Sequence, residues 1–445
     1  MIHADSRIAV IGGGISGLAS AWLLDKRHQV TLFERNHYVG GHSNTLMVDG
    51  PRGPVPVDTG FVVFNEHNYP ELTSLFRHLG VASQDTDMSF SASIGDGRME
   101  YAGTNLNTLF AQRGNLVRPR FLRMVRDILR FNRHGKELLE THWVPDVSLG
   151  DYLFTEGYGA GFRDDYLLPM AAAIWSCPTR QMLDFPLISF LNFFRNHGLL
   201  NVTDRPQWRT VTGGSRVYVR RMLDTFNGDV HTGSPVVQVR RRPDGGQVRC
   251  ADGRVERFDQ VVMASHADET LSLIENPSEA ERQVLGAFRY QPNRTLLHTD
   301  ARLMPKRRAV WSSWNYLARD FGDGGPQVSV TYWMNRLHRL PENEGPYLVS
   351  LNPLTEPREE TIIREMTYQH PVFDAAAMAA QKRVPGIQGA DRLWFCGAWC
   401  GYGFHEDGLK SAETVAWRLG VSPPWLGESR EPAHIQTRPD RVAAA

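Results

Sequence analysis

Cysteine is scarce in this chain, net charge is absent and no long apolar run interrupts it, and each shortage removes a class of protein. Four cysteines, Cys177, Cys250, Cys396 and Cys400, in 445 residues make no disulfide framework. Residues 1–7 lack the apolar stretch of a secretory signal, so the cytoplasm is the expected compartment. The 49 basic residues are matched by 49 acidic ones, which leaves no global attraction to nucleic acid. A membrane-spanning helix takes roughly 20 apolar residues. Residues 183–200 come nearest and carry Asp184, Pro186, Asn192, Arg195 and His197, so any membrane contact is expected to be peripheral, at the inner face. No repeats, no P-loop, no Ser-His-Asp spacing and no zinc-finger spacing occur. No metal site is expected.

What is present begins with a β-branched run, residues 7–11, that feeds directly into Gly12-Gly13-Gly14-Ile15-Ser16-Gly17. Ile15, Leu18, Ala19, Trp22 and Leu23 then recur at helical spacing. A second strand, residues 29–33, ends on Glu34, 20 residues beyond Gly14. Strand, glycine turn, helix and acid in this register form a dinucleotide fingerprint. Gly12 permits the sharp turn, Gly14 lets backbone approach a pyrophosphate, and Gly17 lets helix and strand pack closely. The helix N-terminus attracts phosphate through its free N–H groups and dipole, and Glu34 can accept from a ribose. The ligand is FAD or NAD(P).

Beyond Glu34 come Arg35 and a second glycine pair, Gly40-Gly41, followed by His42. Here the chain resembles the flavin amine oxidase and phytoene desaturase superfamily, in which such a pair follows the acid and lies along the FAD pyrophosphate. The resemblance continues at Thr212-Gly213-Gly214-Ser215, at Val236-Val237 and residues 261–264, similar to paired strands flanking the adenine, and at Leu393-Trp394-Phe395-Cys396-Gly397-Ala398 followed by Gly408. It implies FAD, held by Gly12, Gly14, Ile15, Ser16, Gly17, Glu34, Arg35, Gly40, Gly41, His42, Val237, Gly397, Ala398, His405, Glu406, Gly408 and Leu409. More narrowly, "VDTGFVVFN", "HTDARLMPKRRAVWSSWNY" and "GFHEDGLKSA" resemble a bacterial branch of amine-oxidase-like flavoproteins associated with cyclopropane-fatty-acid-synthase-type enzymes. His42 stands where the superfamily often has arginine, which implies less fixed positive charge near the cofactor.

The length of the chain calls for two interleaved domains. The fold class expected is α/β: a discontinuous, Rossmann-like FAD-binding domain from residues 1–85, 205–290 and 386–422, with an interleaved α+β substrate domain from 86–204 and 291–385. Residues 423–445 are expected to be a disordered tail. Within the first insertion, residues 118–131 interleave arginines with an apolar face. Such a helix can either rest on an anionic bilayer or present a solvated face over a core stripe. In the second insertion, strand-like runs at 328–333 and 347–351, with Trp311, Trp314 and Tyr316, would supply a sheet floor facing the flavin.

With a single dinucleotide fingerprint, electrons are expected to enter FAD from an organic substrate and leave to dioxygen or another acceptor. This is the pattern of an oxidase or desaturase rather than a pyridine-nucleotide reductase. The apolar segment "FPLISFLNFF" points to dehydrogenation of a fatty-acyl-type chain. The alternatives are an amine oxidase, or a flavin-dependent isomerase, mutase or scaffold with no net redox. The cluster of two cysteines, a histidine and two acids at residues 396–407 lacks a second ligand group for zinc, and its cysteines are read as small buried hydrophobes. Asp407 or Gly408 is expected to cap a helix whose N-terminus faces the flavin. His405 and Glu406, just before it, are expected to line the ring, with His405 the candidate catalytic residue.

Overall fold

The computed structural model describes residues 5–426 except 142, 176–181, 202–205, 321–325 and 342–344. Cys177 and the tail from 427 therefore lie outside the described residues. The central element is a five-stranded parallel sheet in the order Asp229–His231, Gln29–Phe33, Arg7–Ile11, Gln260–Met263, Leu393–Phe395. Its middle strands are apolar on both faces because both faces are covered. Helices Ile15–Leu24 and His405–Arg418 pack together on one side, in a cluster with Leu18, Trp22, Val262 and Leu409. On the other side lie an antiparallel meander, Val236–Arg242, Gly245–Cys250 and Val255–Phe258, and the helix Glu279–Leu285.

The strands containing Val236-Val237 and Val261-Val262 therefore do not pair with each other. The first belongs to the meander and the second to the parallel sheet. A register shift between Val236 and Gln238 separates Val236, which is half-buried, from Val237, which is 46% exposed.

A second sheet of seven strands is built from Ile362–Val372, Arg289–His298, Leu348–Leu351, Pro326–Trp333, Trp314–Asp320, Phe90–Ile94 and Met99–Ala102, in that order. Its neighbours run antiparallel except for one parallel pair, Trp314–Asp320 with Phe90–Ile94. Beside it, helices Pro119–Glu140, Leu149–Thr155 and Leu187–Asn196 share a core of Phe131, Phe162, Phe190 and Phe194. Smaller sheets connect the two halves. Trp208–Val211 lies between Phe64–Asn65 and Ser83–Thr86, and Thr45–Gly50 forms a hairpin with Gly53–Asp58. Among the described residues no helix is long and apolar enough to cross a membrane. Within residues 183–200, the nearest approach to a span in the sequence, lies the ten-residue helix Leu187–Asn196.

Candidate functional site

A cavity of about 910 Å³ runs from the glycine turn to the aromatic face of the second sheet. At the turn, Gly12 has φ +107°, and a Cβ there would sit 2.8 Å from the Ala264 carbonyl. A Cβ on Gly17 would overlap the Gly12 carbonyl, so helix and turn pack as closely as the sequence requires. Gly14 is different. A Cβ there would meet nothing within 4 Å, and Gly14 lines the cavity as the N-cap of helix Ile15–Leu24 with no side chain capping it. Backbone N–H groups at that helix end are thus open to an anion. Glu34 closes the other side of the turn: its carboxylate accepts from the Gly13 N–H at 2.7 Å and the Asn36 N–H at 2.8 Å. Arg35, beside it, is paired at 2.6 Å with Glu269.

Ile15 and Ser16, on the first turn of that helix, also line the cavity. So do Gly41, His42, Gly397, Ala398 and His405. Residues from opposite ends of the chain thus meet on one elongated space. An open helix N-terminus, a glycine whose missing side chain leaves room, and an acid at the strand end fit the phosphate and ribose of a dinucleotide.

Six expected cofactor contacts do not line the cavity. Gly17 is buried in the turn, and Gly40 ties its loop to the turn by donating to the Gly13 carbonyl at 2.8 Å. Val237 points outward past the register shift. Gly408 lies against Ile15 and Ser16, where a Cβ would come within 2.8 Å of both, and Leu409 belongs to the core beneath. Glu406 faces another helix: its carboxylate accepts from the Glu71 and Leu72 N–H groups at 3.1 and 3.0 Å, capping Pro70–His78, and lies 3.2 Å from Lys410. The last helix also starts earlier than expected, at His405. Asp407 is its third residue and accepts from the Phe404 and Tyr402 N–H groups at 3.0 and 3.1 Å.

His405 is buried at the cavity wall. Its ring stacks on Phe61 at 3.8 Å, and Nε2 shares hydrogen bonds with Ser43 Oγ at 2.8 Å and Tyr218 OH at 3.1 Å. Burial holds its pKa down at about 3. His42 stacks on Tyr368 at 4.8 Å, with His370 at 5.4 Å. Burial, reinforced by His370, His266 and His405, keeps His42 well below the ordinary imidazole range, and burial lowers His370 to about 4. The imidazoles of this wall are neutral at physiological pH.

The cysteines stand apart. Cys396 is buried with its Sγ 3.5 Å from Ser20 Oγ, and burial pushes its thiol up to about 12. Burial raises the Cys400 thiol well above its usual range too. Among the described residues, no three His, Cys, Asp or Glu side chains gather where they could hold a metal.

At its far end the cavity is walled by Met170, Ile174, Phe193, Trp208, Trp314 and Tyr332. Tyr316, on the same face of the sheet as Trp314, is buried farther along with Tyr101 and Phe121 and does not line the cavity, and Trp311 lies under Arg308 with Trp333 edge-on to it. Two charges at this end were not singled out in the sequence. Asp87 accepts from Ser89 N–H at 3.0 Å, from Ser89 and Ser313 hydroxyls at 2.6 Å, and from Arg336 Nε at 2.6 Å. Burial raises its pKa, but the bonds from Ser313, Ser89 and Arg336 outweigh that and hold it below the usual range. Asp58 also reaches the cavity, held by Thr45 and by the Ser215 N–H and hydroxyl. Only the "VDTG" string around it marked the place.

The family model of flavin containing amine oxidoreductases matches residues 15–293. A carotenoid phi-ring synthase of Streptomyces griseus is 30% identical over 284 residues, which are 58% of this chain and 52% of that protein. The chain thus spans about half the length of that relative. Solved structures of other proteins share the fold. A CLA-producing fatty acid isomerase from P. acnes has a TM-score of 0.67 at 14% identity, covering 95% of this chain and 100% of its own. A wild-type putrescine oxidase bound to putrescine has a TM-score of 0.66 at 16% identity, covering 93% and 99%.

Proposed function

Because the chain belongs to the flavin-containing amine oxidoreductase family, and its cofactor is accordingly a flavin, we propose that the flavin is FAD and that the reaction is dehydrogenation of an apolar, fatty-acyl-type chain. FAD is supported by the cradle at Gly14 and Glu34, which suits an adenosine diphosphate. When bound, the flavin supplies the acceptor for a hydride. The protein's share is to seat the C–H bond, exclude water and present neutral imidazoles.

One observation carries the choice of substrate. Among the described residues the far end of the cavity is mostly aromatic and aliphatic, and its one carboxylate besides the buried Asp58, that of Asp87, is already paired with Arg336 and bonded by two serines. Among the described residues an ammonium group entering there would find no free counter-charge, whereas a hydrocarbon would lose nothing by leaving water.

Flavin-loaded protein mixed anaerobically with monounsaturated phospholipid or fatty acid, and separately with alkyl amines and diamines, tests the reading. Bleaching of the oxidised flavin band by the lipid, with a product two hydrogens lighter, is expected. Bleaching by an amine alone would refute it. A lipid product of unchanged mass, formed without net bleaching, would assign an isomerase, the activity named for one structural neighbour.

A further inference from the structure

We infer that the surface built from residues 106–136 is a docking site for an anionic lipid bilayer. The chain as a whole is neutral, yet this stretch carries eight Lys or Arg residues against a single acid, Asp127, which is buried. The charge is not spread at random. On helix Pro119–Glu140, Phe121, Met124 and Phe131 point inward, while Leu122, Arg126, Leu129 and Arg133 follow one another along the outer stripe. Arg126 and Arg133 side chains are 73% and 69% exposed. Leu122 and Leu129, between them, are 44% and 56% exposed.

The segment before the helix continues the pattern. Leu106 is 74% and Val117 81% exposed, and Arg113, between them, is exposed and tied back to the Phe110 carbonyl. Phe110 meets Phe121 edge-on at 5.7 Å, so the short helix Leu106–Leu109 and the long helix bury their inner sides in one core. Phe154, 88% exposed, belongs to the same region, since Arg130 Nη2 donates to the carbonyl of Glu156.

Neighbouring acids offset only part of the charge. Asp165 pairs with Arg120, Asp127 lies 3.8 Å from Arg126 and 3.9 Å from Arg130, and Glu137 lies 3.8 Å from Arg133, so eight cations against these three acids still leave an excess of five. Exposed Leu and Val interleaved with arginine suit the boundary between headgroups and acyl chains, where the apolar side chains enter and the guanidinium groups meet phosphate. A nucleic acid would use the arginines but offers the apolar tips nothing. The location also has a use: Gly103 and Thr104, which line the cavity and are exposed, lie just before Leu106. A bilayer on this face would border the cavity.

The test is co-sedimentation of the flavin-loaded full chain with vesicles of phosphatidylglycerol and phosphatidylcholine in equal parts, with pure phosphatidylcholine vesicles, and with duplex DNA, at ~0.1 M salt. Binding to the anionic vesicles at least tenfold tighter than to the neutral ones is expected. Arg126→Glu with Arg133→Glu should weaken it at least tenfold, and Val117→Asp should weaken it as well, with flavin spectrum and melting temperature unchanged. Equal binding to both vesicles, binding to neither, variants that bind like the parent, or binding to DNA without binding to vesicles would each overturn the assignment. Because the readout is sedimentation, it stands or falls apart from the reaction proposed above.

Discussion

Replacing Gly14 by alanine separates cofactor binding from folding. Gly14 has φ −69° and ψ −177°, a conformation open to any residue, and a Cβ there meets no protein atom within 4 Å. The apoprotein should accept the methyl group: alanine is a poorer N-cap than glycine by some tenths of a kcal/mol, and the stiffer unfolded chain returns about 0.4–1 kcal/mol. The methyl would instead stand between the helix N-terminus and a phosphate. Loss of one charge-assisted bond from an N–H group, about 1.5–3 kcal/mol, corresponds to a roughly 10- to 150-fold rise in Kd for the flavin. The assay is titration of apoprotein with FAD by fluorescence quenching, alongside thermal melting without flavin. Gly12→Ala is the contrast. At φ +107° and 2.8 Å from the Ala264 carbonyl, it should lower the apoprotein's melting point outright. If Gly14→Ala bound FAD as tightly as the parent, or if it melted as early as Gly12→Ala, the cradle would be misassigned.

Other outcomes follow from the buried imidazoles. His405→Ala removes a stacking partner of Phe61 and leaves Ser43 and Tyr218 sharing only each other, which should cost about 1–3 kcal/mol of stability by chemical denaturation. A hundredfold slower flavin reduction with stability intact would instead make His405 a catalytic residue. Acid should also weaken the fold. His370 and His197, held by burial at about 4, and His405, at about 3, stay neutral in the native state while the unfolded chain takes up protons below its ordinary value of about 6.5. Their stabilisation is complete above that value and is lost as pH falls toward 4. Burial also raises Glu406, Asp407, to about 6, and Glu413, to about 9, and these carboxyls oppose the trend. With His42, His266 and His338 lowered too, the imidazoles outnumber them. A denaturation midpoint lower at pH 5 than at neutrality is expected, and a midpoint that rises on acidification would refute the sign.

The parts of the site legible in the sequence are those whose physics is local. The glycine turn, the helix stripe after it and the acid at the end of the second strand lie within 28 residues, and their spacing follows from one strand–turn–helix unit. Glu406 was not legible, because its partners, the N–H groups of Glu71 and Leu72, are more than 300 positions away. Val237 lies off the cavity for a different reason: a register shift turns its side chain outward, and alternation along a strand carries no sign of such a shift. The stack of His42 on Tyr368 and the saturation of Asp87 by Ser313 and Arg336 likewise exist only once distant strands are paired.

The parallel sheet has a consequence for biosynthesis. Its edge strand Leu393–Phe395 pairs with Gln260–Met263, and helix His405–Arg418 covers Ile15–Leu24, so the first helix emerges from the ribosome almost 400 residues before its cover. Until then Leu18, Trp22 and their neighbours have an open flank, the state in which chaperones bind and aggregation starts. The part of the cavity wall between Gly397 and His405 is made only at that late stage, so a chain cut short before Leu393 lacks it as well as the last strand.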